Sequence, residues 1–142
     1  MFKENFKVTG QVTIQKNGEV VRDIPNTIVT AGKNDIASLI TGAGSVMTHM
    51  AVGTGTTSVA AGDTTLETEN DRNALSVSGG APSTNTVVFS GVWSAGDGTA
   101  AITEAGLFSA SSGGTMLART VFSAVNKGAS DVLTITWTVT IS

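Results

Sequence analysis

The chain contains no cysteine, so disulfides, a thiolate nucleophile and a zinc site of the cysteine type are excluded, and packing alone must hold the fold. Charge is also scarce. Only 13% of the 142 residues are charged and the net charge is −3, with an isoelectric point near 4.9. A nucleic-acid duplex calls for clustered lysine and arginine, and none is seen, so no nucleic-acid partner is expected. Tyrosine is absent and aromatics reach only 5%, which counts against a sugar-binding platform of exposed rings. No apolar run approaches a membrane span, and residues 1–7 lack the apolar stretch of a secretory signal. The expectation is a soluble protein with no membrane partner and no export by signal peptide.

Glycine, serine and threonine are plentiful, and the clearest pattern lies at the C-terminus. Leu133, Ile135, Trp137, Val139 and Ile141 alternate with Thr134, Thr136, Thr138 and Thr140. That period of two requires an extended strand with one dry face, roughly 30 Å long. A second strong signal is Asn17-Gly18, between Val8, Val12 and Ile14 on one side and Glu19 to Arg22 on the other. It predicts a hairpin with a type I′ turn. Pro25 stops the return strand, and one helix of about ten residues is expected next. Thr30 is its N-cap, Ile36, Leu39 and Ile40 its apolar stripe, and Gly42 its C′ residue.

A strand over residues 46–53 is expected to lead into a long polar loop, residues 56–73. In that loop Thr64-Thr65-Leu66-Glu67 matches a capping box and allows one helical turn. Residues 74–78 read as a short strand, and Gly79-Gly80-Ala81-Pro82-Ser83 as a turn. Beyond it, Asp97-Gly98 suggests a hairpin that sets Trp93 opposite Ile102 and Val87 opposite Phe108. About eight strands with regular turn signals predict an all-β fold, an antiparallel β-sandwich of jelly-roll-like type with one short α-helix. The length fits one domain, residues 1–142, with an N-terminal arm of about residues 1–7.

The hairpin register places Glu104 on the face of Ile102, Phe108 and Trp93, where a lone carboxylate is costly to bury. If Gly106 faces Leu117 on the following strand, Arg119 falls beside Glu104, and the two form a partly buried ion pair that fixes register. The alternative for Glu104 is a catalytic acid. No other residues assemble a chemistry, and no catalytic, cofactor-binding or metal-ligating set is expected. His49 is the single histidine and reads as an ordinary strand residue. Asp63, Glu67, Glu69 and Asp71 lack the alternation and turn glycine of an EF-hand loop. Gly32-Lys33 is not part of a P-loop, and no G-x-S-x-G elbow occurs.

The opposite faces of the second-half strands carry Val88, Val92, Ala105, Leu107, Met116, Ala118 and Phe122. Either the helix and the first hairpin cover this apolar surface, or part stays open and marks a protein partner.

Several segments resemble small virion proteins of tailed bacteriophages, of the head-decoration, cement or tail-fibre kind. They are Asn26 to Gly32, Met50-Ala51-Val52-Gly53-Thr54-Gly55-Thr56-Thr57, Ala60-Ala61-Gly62-Asp63-Thr64, Ile102-Thr103-Glu104-Ala105-Gly106-Leu107-Phe108, Met116-Leu117-Ala118-Arg119 and the terminal threonine strand. The resemblance implies a non-enzymatic, many-copy protein located in the virion and assembled in the host cytoplasm. Its implied partners are the major capsid protein or another virion protein, and further copies of itself as a dimer or trimer. Its implied role is capsid cement, bridging capsomers from outside. The alternative is a tail-fibre, baseplate or neck component with a receptor- or glycan-binding role. Expected partner contacts are Phe2, Lys3 and Phe6 of the arm and the loop over residues 54–71, in particular Thr54, Thr56, Thr57 and Asp63.

Overall fold

A computed structural model describes residues 5–142. The chain forms β1 (Val8–Lys16), β2 (Glu19–Pro25), β3 (Thr27–Ile28), α1 (Thr30–Ile40), β4 (His49–Gly53), β5 (Glu69–Ala74), β6 (Ala81–Ser83), β7 (Thr86–Trp93), β8 (Ala100–Phe108), β9 (Met116–Lys127) and β10 (Leu133–Ile141). Ten strands, two of them only two and three residues long, build two antiparallel sheets. The first has the order β2-β1-β10-β7-β6, the second β3-β9-β8-β4-β5. Together they make an all-β sandwich with a single short helix.

β10 lies at the centre of the first sheet because its dry face needs neighbours on both sides. It pairs along its whole length with β1, from Leu133 opposite Lys16 to Ile141 opposite Val8, and on its other edge with β7. Leu133, Ile135 and Trp137 are fully buried, while the intervening threonines are half-buried on the outer face. Opposing them inside the sandwich are Met50, Val52, Ile102, Ala105, Leu107, Phe122 and Val125 of the second sheet. The β1–β2 hairpin turns on Asn17 and Gly18, with φ of 53° and 85°, the left-handed pair that a type I′ turn demands.

Several expectations are corrected. β7 and β8 are not a hairpin: Trp93 pairs with Leu133 and Val87 with Val139 in one sheet, whereas β8 runs between β9 and β4 in the other. The cause is burial on both faces. Every residue from Ile102 to Phe108 is buried, so β8 requires a strand on each edge and a layer on each side. The β8–β9 register sets Gly106 opposite Arg119, not Leu117, and Glu104 opposite Val121. A bulge between Ile102 and Glu104 breaks the alternation, so Ile102 faces the interior and Glu104 the outer side with Phe108. Strand β5 occupies 69–74 where loop was expected, and the loop spans 54–68 without a helical turn.

Ala105, Leu107, Ala118 and Phe122 lie in the interior, covered by the first sheet, whose β1–β2 hairpin contributes Val12, Ile14, Val21 and Ile24, with Ile36 of the helix packed against the same core. Val92, by contrast, is 40% exposed. Helix α1 begins after Val29, which makes no side-chain cap bond, so Thr30 is the first helical residue and not the cap. Gly42, at φ 78°, ends the helix. Its stripe divides, with Ile36 packed on the core and Leu39 and Ile40 exposed. The helix approaches β9 closely at Gly32, where a Cβ would stand 2.2 Å from the Leu117 carbonyl oxygen.

Candidate functional site

The outer face of the second sheet carries a second, smaller core of Val29, Ala51, Leu66, Phe108 and Met116, with Val59 and Ala31 against it. Leu66 and Val59 belong to the 54–68 loop, which lies over the sheet as a third layer. Beside this core, Glu104 is completely buried and Arg119 is 2% exposed.

Glu104 is saturated with donors. Its Oε1 accepts from the backbone N–H of Gly55 at 3.0 Å and of Thr68 at 2.7 Å. Its Oε2 accepts from the Glu67 N–H at 3.0 Å and from Arg119 Nε and Nη2 at 3.0 and 2.8 Å. Arg119 extends the network outward, donating through Nη1 to Asp63 Oδ2 at 2.8 Å and through Nη2 to the Thr57 carbonyl at 3.2 Å. A carboxylate with five donors has its charge well compensated and has no acceptor position left for a reacting proton. The arrangement is a clamp: five loop residues, Gly55 and Thr68 at its two ends among them, are tied to two side chains of the sheet. Backbone contact is close, since a Cβ on Gly53 or Gly55 would come within 2.6 Å of Glu104 Oε1.

Further bonds trim the loop. Thr103 Oγ1 donates to the Gly55 carbonyl at 2.7 Å, and the Ala60 N–H donates to Asp63 Oδ2 at 3.0 Å. Hydrogen bonding from Thr57, its side chain first and then its backbone, holds the exposed Glu67 carboxyl below the usual carboxylate range. Thr54, Thr56 and Thr57 are exposed and Asp63 is half-buried. Thr57 and Asp63 border one hollow of the loop, and Asp63 is held by Arg119. Phe6 is 67% exposed at the far end of β1, and Phe2 and Lys3 lie outside the described residues. His49 is half-buried, with Nδ1 2.8 Å from Thr48 Oγ1.

Two features were missed in the sequence. Arg72 stacks 3.8 Å from the Phe108 ring centroid, pairs with Glu69 at 2.6 Å, and donates to the carbonyls of Ala110 and Gly113. Lys127 is buried and donates to the Ser94 carbonyl at 3.0 Å. Neither follows a periodic pattern: Arg72 reaches Phe108 because β4 pairs with both β5 and β8, and Lys127 meets Ser94 where the chain passes from one sheet to the other.

A different surface opens where α1 meets the two sheets. An apolar groove of about 390 Å³ is lined there by residues of α1, of β1, β7, β9 and β10, and of the segment before β4. Compared with known proteins, the chain matches no family model, no curated sequence and no solved structure.

Proposed function

We propose that this chain is a non-enzymatic structural subunit of a tailed-phage virion, acting as a capsid decoration or cement protein. It sits on the shell exterior, contacts the major capsid protein, and joins neighbouring capsomers as a homo-oligomer. The supporting observation is the distribution of exposed apolar residues. Of the nine with large side chains among the described residues, Leu39, Ile40, Val46 and Ile141 line one groove and Phe6 lines a hollow adjoining it, while Val20, Val77, Val92 and Val132 line neither. A cluster of five such side chains on a sparsely charged domain is a binding surface for protein. The clamped loop supplies a second, polar surface of fixed shape, and the sequence resemblance supplies the setting. Many weak contacts repeated over a shell add up to resistance against internal pressure.

Both tryptophans are fully buried, which removes the strongest aromatic platform for a glycan and favours cement over the tail-fibre alternative. The test is quantitative densitometry of purified virions against the major capsid protein. Near-stoichiometric abundance is expected. A band a few per cent as strong moves the protein to the tail or neck, and its absence from particles overturns the virion reading.

A further inference from the structure

The turn that closes the β1–β2 hairpin carries a reactive pair. Among the asparagines of the chain only Asn17 precedes a glycine. Such a pair can react without an enzyme, because the glycine nitrogen has no neighbouring side chain to hinder its attack on the asparagine carboxamide. Asn17 and Gly18 are both exposed, and a Cβ on Gly18 would meet nothing within 4 Å. The fold does not shield the pair by covering it.

What restrains it is bonding to the connection before β10. Asn17 Nδ2 donates to Asp131 Oδ1 at 2.8 Å, and Asn17 Oδ1 accepts from the Val132 N–H at 2.9 Å. The Asn17 N–H donates to the Val132 carbonyl at 2.8 Å. Asp131 Oδ2 in turn accepts from the Gly128 N–H at 2.8 Å and lies 3.6 Å from Lys16 Nζ. Hydrogen bonding from the Asn17 side chain is the foremost cause that holds the Asp131 carboxyl below the usual carboxylate range. Attack requires Asn17 Cγ to turn onto the Gly18 nitrogen, which takes Nδ2 from Asp131 and Oδ1 from Val132.

We propose that Asn17 is a self-modification site gated by this latch. While Asp131 and Val132 hold the carboxamide, the pair is inert. When the connection opens, the Gly18 nitrogen bonds to Asn17 Cγ, the Cγ–Nδ2 bond breaks, and the Gly18 amide proton leaves with the departing ammonia. Water then adds across one of the two carbonyl–nitrogen bonds of the cyclic imide, its hydroxyl going to the carbon and its proton to the nitrogen. Release at Cγ gives aspartate, and release at the main-chain carbonyl gives isoaspartate. Either product keeps the latch open. A carboxylate has lost the donor that faced Asp131 Oδ1 and sets like charge against it, and isoaspartate lengthens the main chain in a turn whose flanking residues, Lys16 and Glu19, are paired.

The test is peptide mapping by mass spectrometry on the purified full chain, kept at mildly alkaline pH both folded and in urea. Replacing the amide by an acid changes the mass of the peptide that holds residue 17, and chromatography separates its aspartate and isoaspartate forms. Conversion is expected to be slow in the folded parent and much faster in urea. Folded Asp131→Ala, which removes the acceptor of Nδ2, is expected to convert roughly fivefold faster than the folded parent, with equal rates for the two chains in urea. Equal rates for the folded and unfolded parent overturn the proposal, as does an Asp131→Ala chain that is folded and no faster. The lasting effect is read separately on Asn17→Asp by hydrogen exchange. The amides of residues 128–132 are expected to exchange faster than in the parent while those at the centre of β10 stay unchanged, and exchange identical to the parent overturns the claim that the product holds the latch open.

Discussion

Arg119 stands opposite Gly106, not opposite Glu104, and still places Nη2 and Nε within 2.8 and 3.0 Å of Glu104 Oε2. The pair is diagonal across two strands, on a face that a bulge has turned away from the main interior. What it holds is the loop, because the remaining donors to Glu104 are loop N–H groups at Gly55, Glu67 and Thr68.

Removing one partner strands the other. Glu104→Gln and Arg119→Met are each expected to lower unfolding stability by about 3 to 5 kcal/mol, or roughly 10 °C or more in Tm. The double replacement is expected to cost less than the two singles summed. Calorimetry on the four proteins checks this, and single variants that melt like the parent would refute it.

The small outer core predicts a local effect. Leu66→Ala empties its place beside Gly106 and Phe108 and is expected to cost about 2 to 4 kcal/mol. Hydrogen exchange should show the amides of residues 54–68 opening much more readily than those of β1 and β10, since the loop's apolar anchor is lost while the sandwich interior is untouched.

Gly32→Ala sets helix propensity against packing. In an exposed helix the change is worth about 1 kcal/mol in favour of alanine. Here the added Cβ meets the Leu117 carbonyl at 2.2 Å, and the neighbour is backbone, so net destabilisation is expected. A rise in Tm would contradict the close seating of α1 on β9.

Acid should weaken the fold through two carboxylates, the exposed Glu67 and the half-buried Asp131. Thr57 lowers Glu67, and the Asn17 side chain with the Gly128 N–H lowers Asp131. A folded pKa below the unfolded one means stabilisation that is complete above the unfolded value and is lost as pH falls through the folded one. Stability is therefore expected to hold down to about pH 5 and to decline below about pH 4. Denaturant titrations of Glu67→Gln and Asp131→Asn should show shallower declines over that window than the parent.

Asn17 shows how far local chemistry reaches. Asn17-Gly18 is legible as a hairpin turn, and it is one. Its side chain also donates to Asp131 Oδ1 at 2.8 Å and accepts from the Val132 N–H at 2.9 Å. It thereby ties the first turn to the connection before β10. That second role required knowing that β1 and β10 are neighbours, and their pairing spans more than a hundred residues of sequence.

The sequence by itself determined the elements whose signal is periodic and local: the alternating β10, the β1–β2 hairpin, the single helix with its glycine stop, and the all-β class. It also marked Glu104 as a carboxylate in need of a cation, because a buried charge demands one wherever its strand lies. Tertiary structure alone decided which strands are neighbours, which side of the second sheet Glu104 faces, and that the 54–68 loop is its principal donor. Alternation fixes a side chain's face only relative to its own strand. A single bulge reverses it, and whether Asp97-Gly98 closes a hairpin or carries the chain to the other sheet depends on which pairing buries β8 on both faces.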